Sequence, residues 1–201
     1  MNQLLIATNN PGKTRELHEL LDDLGIELVT PSQIGLDLDV VEDGSTYEEN
    51  AVKKAVAFAN ASGLVSLADD SGLEVDALGG EPGLYSARYG SPDGNKLSDG
   101  ERRKYLVDKL AGKPHPWTAR FRAVIAIAKD DDVHITEGIC EGEINPEERG
   151  TGGFGYDPIF LFPELGKTMA ELPLEQKNRL SHRARAVMKA RALLESIFSG
   201  E

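Results

Sequence analysis

A chain of 201 residues, 40% hydrophobic and 28% charged, has ordinary globular composition and can bury about 70% of the surface its unfolded form exposes. That excludes a disordered chain and predicts one domain over residues 1–201, or at most two closely joined lobes. The formal charge of −12, from 22 Lys and Arg against 34 Asp and Glu, has the wrong sign for a nucleic-acid polymer or a membrane surface as partner.

Cys140 is the only cysteine, so an intrachain disulfide and a Cys/His zinc centre are both excluded. The start of the chain lacks a leader pattern, and no apolar run approaches the roughly 18 residues of a membrane span. A reducing, cytoplasmic setting is therefore expected. A small polyanion could bind such an acidic chain only through a local cluster of cations or a carboxylate-held metal.

Residues 3–7 form a short apolar run and residues 8–12 punctuate it. A helix opening on Pro11 then carries Leu17, Leu20, Leu21 and Leu24 at i, i+3, i+4 and i+7 before Gly25. A second strand follows over 26–29, and strand–helix–strand reads as an α/β fold. Thr46 and Glu49 have capping-box spacing, and Val52, Ala55, Val56 and Ala59 stripe a helix that stops at Gly63. Residues 64–68 read as a short buried strand running into a turn at Asp69-Asp70-Ser71-Gly72. Residues 79–100 read as the one long loop, with a helix from about 99 to 110 after it. Runs 118–128 and 133–144, separated by Lys129-Asp130-Asp131-Asp132, predict a hairpin. A second glycine cluster occupies 150–155. The last helix opens at Ser181, with Ala184, Val187, Met188, Leu194 and Ile197 expected on its buried face. No repeat or linker divides the chain.

Four constellations carry polar chemistry. Thr8, Asn9, Asn10, Pro11, Gly12 and Lys13 lie between a strand and a helix N-terminus, where free N–H groups and the helix dipole attract anions; an ordinary turn with a solvated lysine accounts for them equally well. Gly12-Lys13-Thr14 imitates the end of a P-loop, but Ala7 stands where the first glycine belongs and Pro11 removes a backbone donor. Glu42 and Asp43, with Asp69 and Asp70, suggest a Mg²⁺ site, since Mg²⁺ takes one or two carboxylates plus waters and phosphates; a capping turn is the competing reading. Around Phe154, the flanking glycines leave room for a flat base to stack on the ring, or else Phe154 belongs to the core. Lys177 precedes Ser181, His182 and Arg183, and cations in a first helical turn oppose the dipole unless something electron-rich lies opposite.

These segments resemble, in order, the inosine triphosphate pyrophosphatase (Ham1-like) family. The residues that carry the likeness are Thr8-Asn9-Asn10-Pro11-Gly12-Lys13, Glu49-Asn50-Ala51, Ala68-Asp69-Asp70-Ser71-Gly72-Leu73, Pro82-Gly83-Leu84-Tyr85-Ser86-Ala87-Arg88-Tyr89, residues 150–160, and Ser181-His182-Arg183. The family pattern Thr/Ser-x-Asn-x-x-Lys tolerates Pro11, which resolves the P-loop imitation. Two departures are visible: Asn9 where many members have Gly, and Ala184 where Gly is frequent.

The resemblance implies a long twisted mixed sheet flanked by helices, in two lobes with an active-site cleft between them. It implies a homodimer and Mg²⁺-dependent hydrolysis of the deaminated purine nucleoside triphosphates ITP, dITP and XTP to monophosphate and pyrophosphate. On that basis Asp70 is the expected general base and a metal contact, Glu42 the second Mg²⁺ ligand, and Asp69 open to either task. Thr8, Asn9, Asn10, Pro11, Gly12, Lys13 and Ser71 are expected to hold the phosphates. Phe154 would stack on the purine, with Gly155, Tyr156 and Asp157 shaping the pocket and Lys177, His182 and Arg183 donating toward the base. Lys53, four residues after Glu49, has a helical ion pair competing with any phosphate role. A P-loop-like phosphotransferase and a non-catalytic nucleotide sensor are the alternatives.

Overall fold

The step from half-buried Gln3 into Leu4, Leu5 and Ile6 marks an interior strand of the sheet. Leu4, Leu5 and Ile6 are all fully buried, the pattern of a parallel strand covered on both faces. The computed structural model describes residues 2–91 and 97–199; part of the expected 79–100 loop, residues 92–96, lies outside the described residues. Among these residues the strands are β1 (Gln3–Ile6), β2 (Glu27–Val29), β3 (Val65–Val75), β4 (Thr118–Lys129), β5 (Asp132–Ile144), β6 (Phe160–Phe162) and β7 (Lys167–Thr168). The helices are α1 (Pro11–Leu21), α2 (Tyr47–Ser62), α3 (Asp99–Leu110), α4 (Leu174–Leu180) and α5 (His182–Ser199). The strands form one mixed sheet in the order β2-β1-β3-β4-β5-β6-β7.

The chain divides into two compact units. The first holds residues 2–70, 123–138 and 182–199, the second 71–91, 97–122 and 139–181. In the first unit β1 pairs parallel with both β2 and β3, with Leu4 opposite Leu28 and Val65. Parallel neighbours need crossovers, which α1 and α2 supply. Leu17, Leu20 and Leu21 of α1 pack with Ala184, Ala186, Val187, Ala190 and Leu194 of α5 over Leu4, Ile6, Leu67 and Ile125. The first turn of α5 lies hard against β5: a Cβ at Gly138 would overlap the His182 carbonyl and the Ala186 amide, so only glycine fits. In the second unit β5, β6 and β7 run antiparallel. Leu106 and Leu110 of α3 join Trp117, Phe121, Phe160 and Phe162 in its core.

Most expected elements form, and the departures have physical causes. The strand expected to end at residue 68 continues through Asp69, Asp70, Ser71 and Gly72 to Val75, because both acids find cationic partners inside the protein and need no turn to reach water. The 129–132 connection shortens to residues 130–131, with Asp130 in the left-handed region at φ 52°. Met188 is 58% exposed rather than on the buried face of α5, where Ala186 and Ala190 sit instead. Thr46 does cap α2 by accepting from the Glu49 amide, but Glu49 reaches one residue further back, to Ser45 N–H at 2.6 Å.

Candidate functional site

In the first unit, α1 starts where the Asn10 side chain takes over two of its orphan donors. Oδ1 accepts from Gly12 N–H at 2.9 Å and Lys13 N–H at 3.2 Å. Those two amides, expected to be open to an anion, are thus capped from within. Thr8 Oγ1 accepts from Asn10 N–H at 3.1 Å, while Asn9 and Pro11 are exposed. Lys13 is not a solvated lysine: its Nζ lies 2.5 Å from Asp69 Oδ1 and 3.2 Å from the Asp69 carbonyl.

Adjacent residues on a strand face opposite ways, and β3 uses this to separate its two acids. Asp69, 1% exposed, accepts from Arg183 Nε at 2.9 Å as well as from Lys13. Arg183, 2% exposed, also donates through Nη1 to Glu16 Oε2 at 2.5 Å. The electron-rich partner expected opposite Arg183 is therefore present, and it is the protein's own Asp69 and Glu16. His182, the first residue of α5, is buried beside it in sequence. Burial alone would raise the Asp69 carboxyl, but the Arg183 and Lys13 cations outweigh it and hold the group far below the usual carboxylate range.

Asp70 meets a different set. Asn50 Nδ2 donates to Oδ2 at 3.3 Å, and Lys54 Nζ stands 3.2 Å from Oδ1. Asn50 and Lys54 are four apart on the buried face of α2, beside Ala51, Ala55 and Phe58. Asn50 Oδ1 in turn accepts from Gly44 N–H at 2.8 Å, tying the preceding segment to the helix. Lys54 Nζ also lies 2.9 Å from Glu42 Oε1, so one ammonium bridges Asp70 and the more exposed Glu42. Burial pushes the Asp70 carboxyl up, and the neighbouring Lys54 and Lys13 offset only part of that. Lys53 pairs with Asp43, not with Glu49. Four carboxylates (Glu16, Glu42, Asp69, Asp70) against three cations (Lys13, Lys54, Arg183) leave this cluster one negative charge.

Among the described residues no group of three or more His, Cys, Asp and Glu side chains is placed to hold a metal ion. Asp70 and Glu42 converging on one ammonium is nonetheless a donor set of the kind Mg²⁺ uses, two hard oxygens with the rest of its shell from water and phosphate.

In the second unit the glycine cluster folds around a buried ion pair. Lys177 Nζ lies 2.6 Å from Asp157 Oδ2, which also accepts from Phe154 N–H at 3.0 Å. The Lys177 ammonium stands over the half-buried Phe154 ring, 5.6 Å from its centroid. Tyr156 is buried and donates its hydroxyl to the Ser86 carbonyl at 3.0 Å. Ser71 follows Asp70 in β3 and is half-buried. Gly153 has φ +72°, and a Cβ there would overlap Asp157 Oδ2 and Lys177 Nζ. Gly153→Ala is therefore expected to cost about 1–3 kcal/mol, read as a lower urea midpoint at unchanged slope. An unchanged midpoint would show that the Asp157–Lys177 pair tolerates a methyl group.

A family model described as Ham1 family matches residues 4–193. The chain belongs to the Ham1 family. Relatives agree over nearly full length. A "dITP/XTP pyrophosphatase" of Desulforamulus reducens is 48% identical over 98% of this chain and 97% of its own. Another, of Thermus thermophilus, is 50% identical, over 98% of this chain and 93% of its own. Among solved structures, the Staphylococcus aureus Ham1 protein superposes with a TM-score of 0.83 at 42% identity, covering 97% of this chain and 99% of that one. A HAM1 protein from Coxiella burnetii gives 0.85 at 39%, covering 96% and 98%. The Ham1 fold is thus the fold of this chain.

Sequence reasoning missed Lys54, Asn50 and Glu16 as members of the charged cluster. A signal existed for Glu16, which is next to Leu17 and four before Leu20 on the apolar face of α1, where a carboxylate stays buried only with partners. For α2 the stripe read from Val52, Ala55, Val56 and Ala59 is centred on another side of the helix than the buried face that holds Asn50, Ala51, Lys54 and Phe58.

Proposed function

We propose that this protein hydrolyses deaminated purine nucleoside triphosphates (dITP, ITP and XTP) to the monophosphate and pyrophosphate, with Mg²⁺. The substrate class is supported by the names its Ham1-family relatives carry. The chemistry rests on one observation: Asp70, alone of the two adjacent acids, shares a cation with a solvent-accessible carboxylate, Glu42, while Asp69 is enclosed by Arg183 and Lys13.

Asp70 would orient a water and take its proton as the water oxygen bonds to the α-phosphorus. The bond from that phosphorus to the bridging α–β oxygen breaks, and pyrophosphate leaves with the electron pair. Phosphoryl transfer of this kind depends on positioning and charge stabilisation. Lys54 and Lys13 supply fixed positive charge for the phosphates, and Thr8, Asn9, Gly12 and Ser71 are the further phosphate contacts the family resemblance implies. Asp70 and Glu42 would hold the Mg²⁺, which when bound neutralises charge on the phosphate oxygens.

Phe154 would take the purine by stacking, worth about 1–3 kcal/mol. Lys177, standing over that ring, can donate to a 6-keto oxygen but meets only an amino donor on adenine, which leaves both unpaired. Arg183 belongs to this scheme as a positioning residue for Asp69. A homodimer acting in the cytoplasm completes the proposal, on the strength of the family resemblance.

Purified protein with ITP and Mg²⁺ is expected to release IMP and pyrophosphate in equal amounts. Release of a diphosphate with transfer to an acceptor would mark a phosphotransferase, and binding without turnover a sensor. Glu42→Gln is expected to raise the Mg²⁺ concentration giving half-maximal rate; an unchanged titration would remove Glu42 as a ligand.

A further inference from the structure

Gly155 is held at both of its backbone polar groups by one helix. Asp99 Oδ2 accepts from its N–H at 2.7 Å, and Arg103 Nη1 donates to its carbonyl at 2.7 Å. Asp99 and Arg103 are four residues apart in the opening turns of α3 and so share a face. That turn is itself fixed, since Ser98 and Glu101 close a reciprocal capping box. Arg103 is steadied by Glu148 at 2.8 Å, and Asp99 by Arg102. Gly155 adopts φ +60° with no atom within 4 Å of a Cβ position, inside a turn that the Asp157 N–H closes on the Phe154 carbonyl at 3.2 Å. The two hydrogen bonds from α3 hold that turn from outside.

We infer that Asp99 and Arg103 are positioning residues for base recognition: by clamping the peptide that follows Phe154, they set the plane in which its ring meets the purine. The inference rests on the function proposed above. Neither residue lies in a segment that carries the family resemblance.

The test compares the KM for ITP with the inhibition constant of tripolyphosphate, a probe of the phosphate end alone, in Asp99→Ala, Arg103→Ala and Asp99→Asn. Losing one hydrogen bond corresponds to roughly three- to ten-fold in affinity. Asp99→Ala and Arg103→Ala should therefore raise KM for ITP by that factor and leave the tripolyphosphate constant unchanged. Asp99→Asn, whose amide oxygen still accepts from Gly155, should stay near the parent. Thermal midpoints of all three separate misfolding from misplacement. Unchanged KM in both alanine variants would overturn the inference, as would an equal rise in KM and in the tripolyphosphate constant. Parent protein that releases no pyrophosphate from ITP would overturn the functional reading instead, and with it the base the clamp is meant to serve.

Discussion

Asp70→Asn is expected to lower turnover of ITP by about 10²- to 10⁴-fold, the range of a general base, while nucleotide affinity stays within a few-fold. The asparagine keeps the shape and one acceptor, so one of the two donors now at 3.3 and 3.2 Å, Asn50 and Lys54, keeps its partner and the other faces the new NH2; the ability to take a proton is lost outright. Removing the carboxylate also frees Lys54 toward phosphate, which favours binding. Single-turnover kinetics with a separate equilibrium binding measurement resolves the two effects. Turnover within a few-fold of the parent would take Asp70 out of the chemistry.

Arg183→Ala should act on stability first. The guanidinium is 2% exposed and bonded to two carboxylates, Asp69 and Glu16. Removing it strands both in the interior, a loss of about 3–5 kcal/mol, or roughly 6–20 °C in thermal midpoint for a chain of this size. Because Arg183 reaches Asp69 rather than a nucleobase, kcat/KM for ITP and ATP should fall by the same factor. A narrowed ITP:ATP ratio with an unchanged midpoint would return Arg183 to base reading.

The elements were legible where the cause is local. Pro11, Thr46 with Glu49, and Gly63 mark helix ends through the nearest few residues, and the structure places them there. The acids at 69 and 70 were not. Asp-Asp-Ser-Gly reads as a turn because nothing nearby in sequence can neutralise two buried carboxylates. The partner that allows Asp69 inside a strand is Arg183, 114 residues away, and Arg183 in turn depends on Glu16, 167 residues away. For the same reason the division of labour between Asp69 and Asp70 was out of reach. Strand alternation says they face opposite ways, but not which face carries Arg183 and which carries Lys54. The motif residues at 154–157 were found, yet their supports at Asp99 and Arg103 were not. A charged pair at i, i+4 in a helix rich in both signs of charge looks like surface until its acceptor and donor on Gly155 are seen.

Hydrolysis of ITP in ¹⁸O-labelled water tests most directly the claim that water attacks the α-phosphorus. Mass spectrometry of the products should find one labelled oxygen in the IMP and none in the pyrophosphate. Label in the pyrophosphate, or label in orthophosphate released beside IDP, would place the attack on another phosphorus and contradict the account.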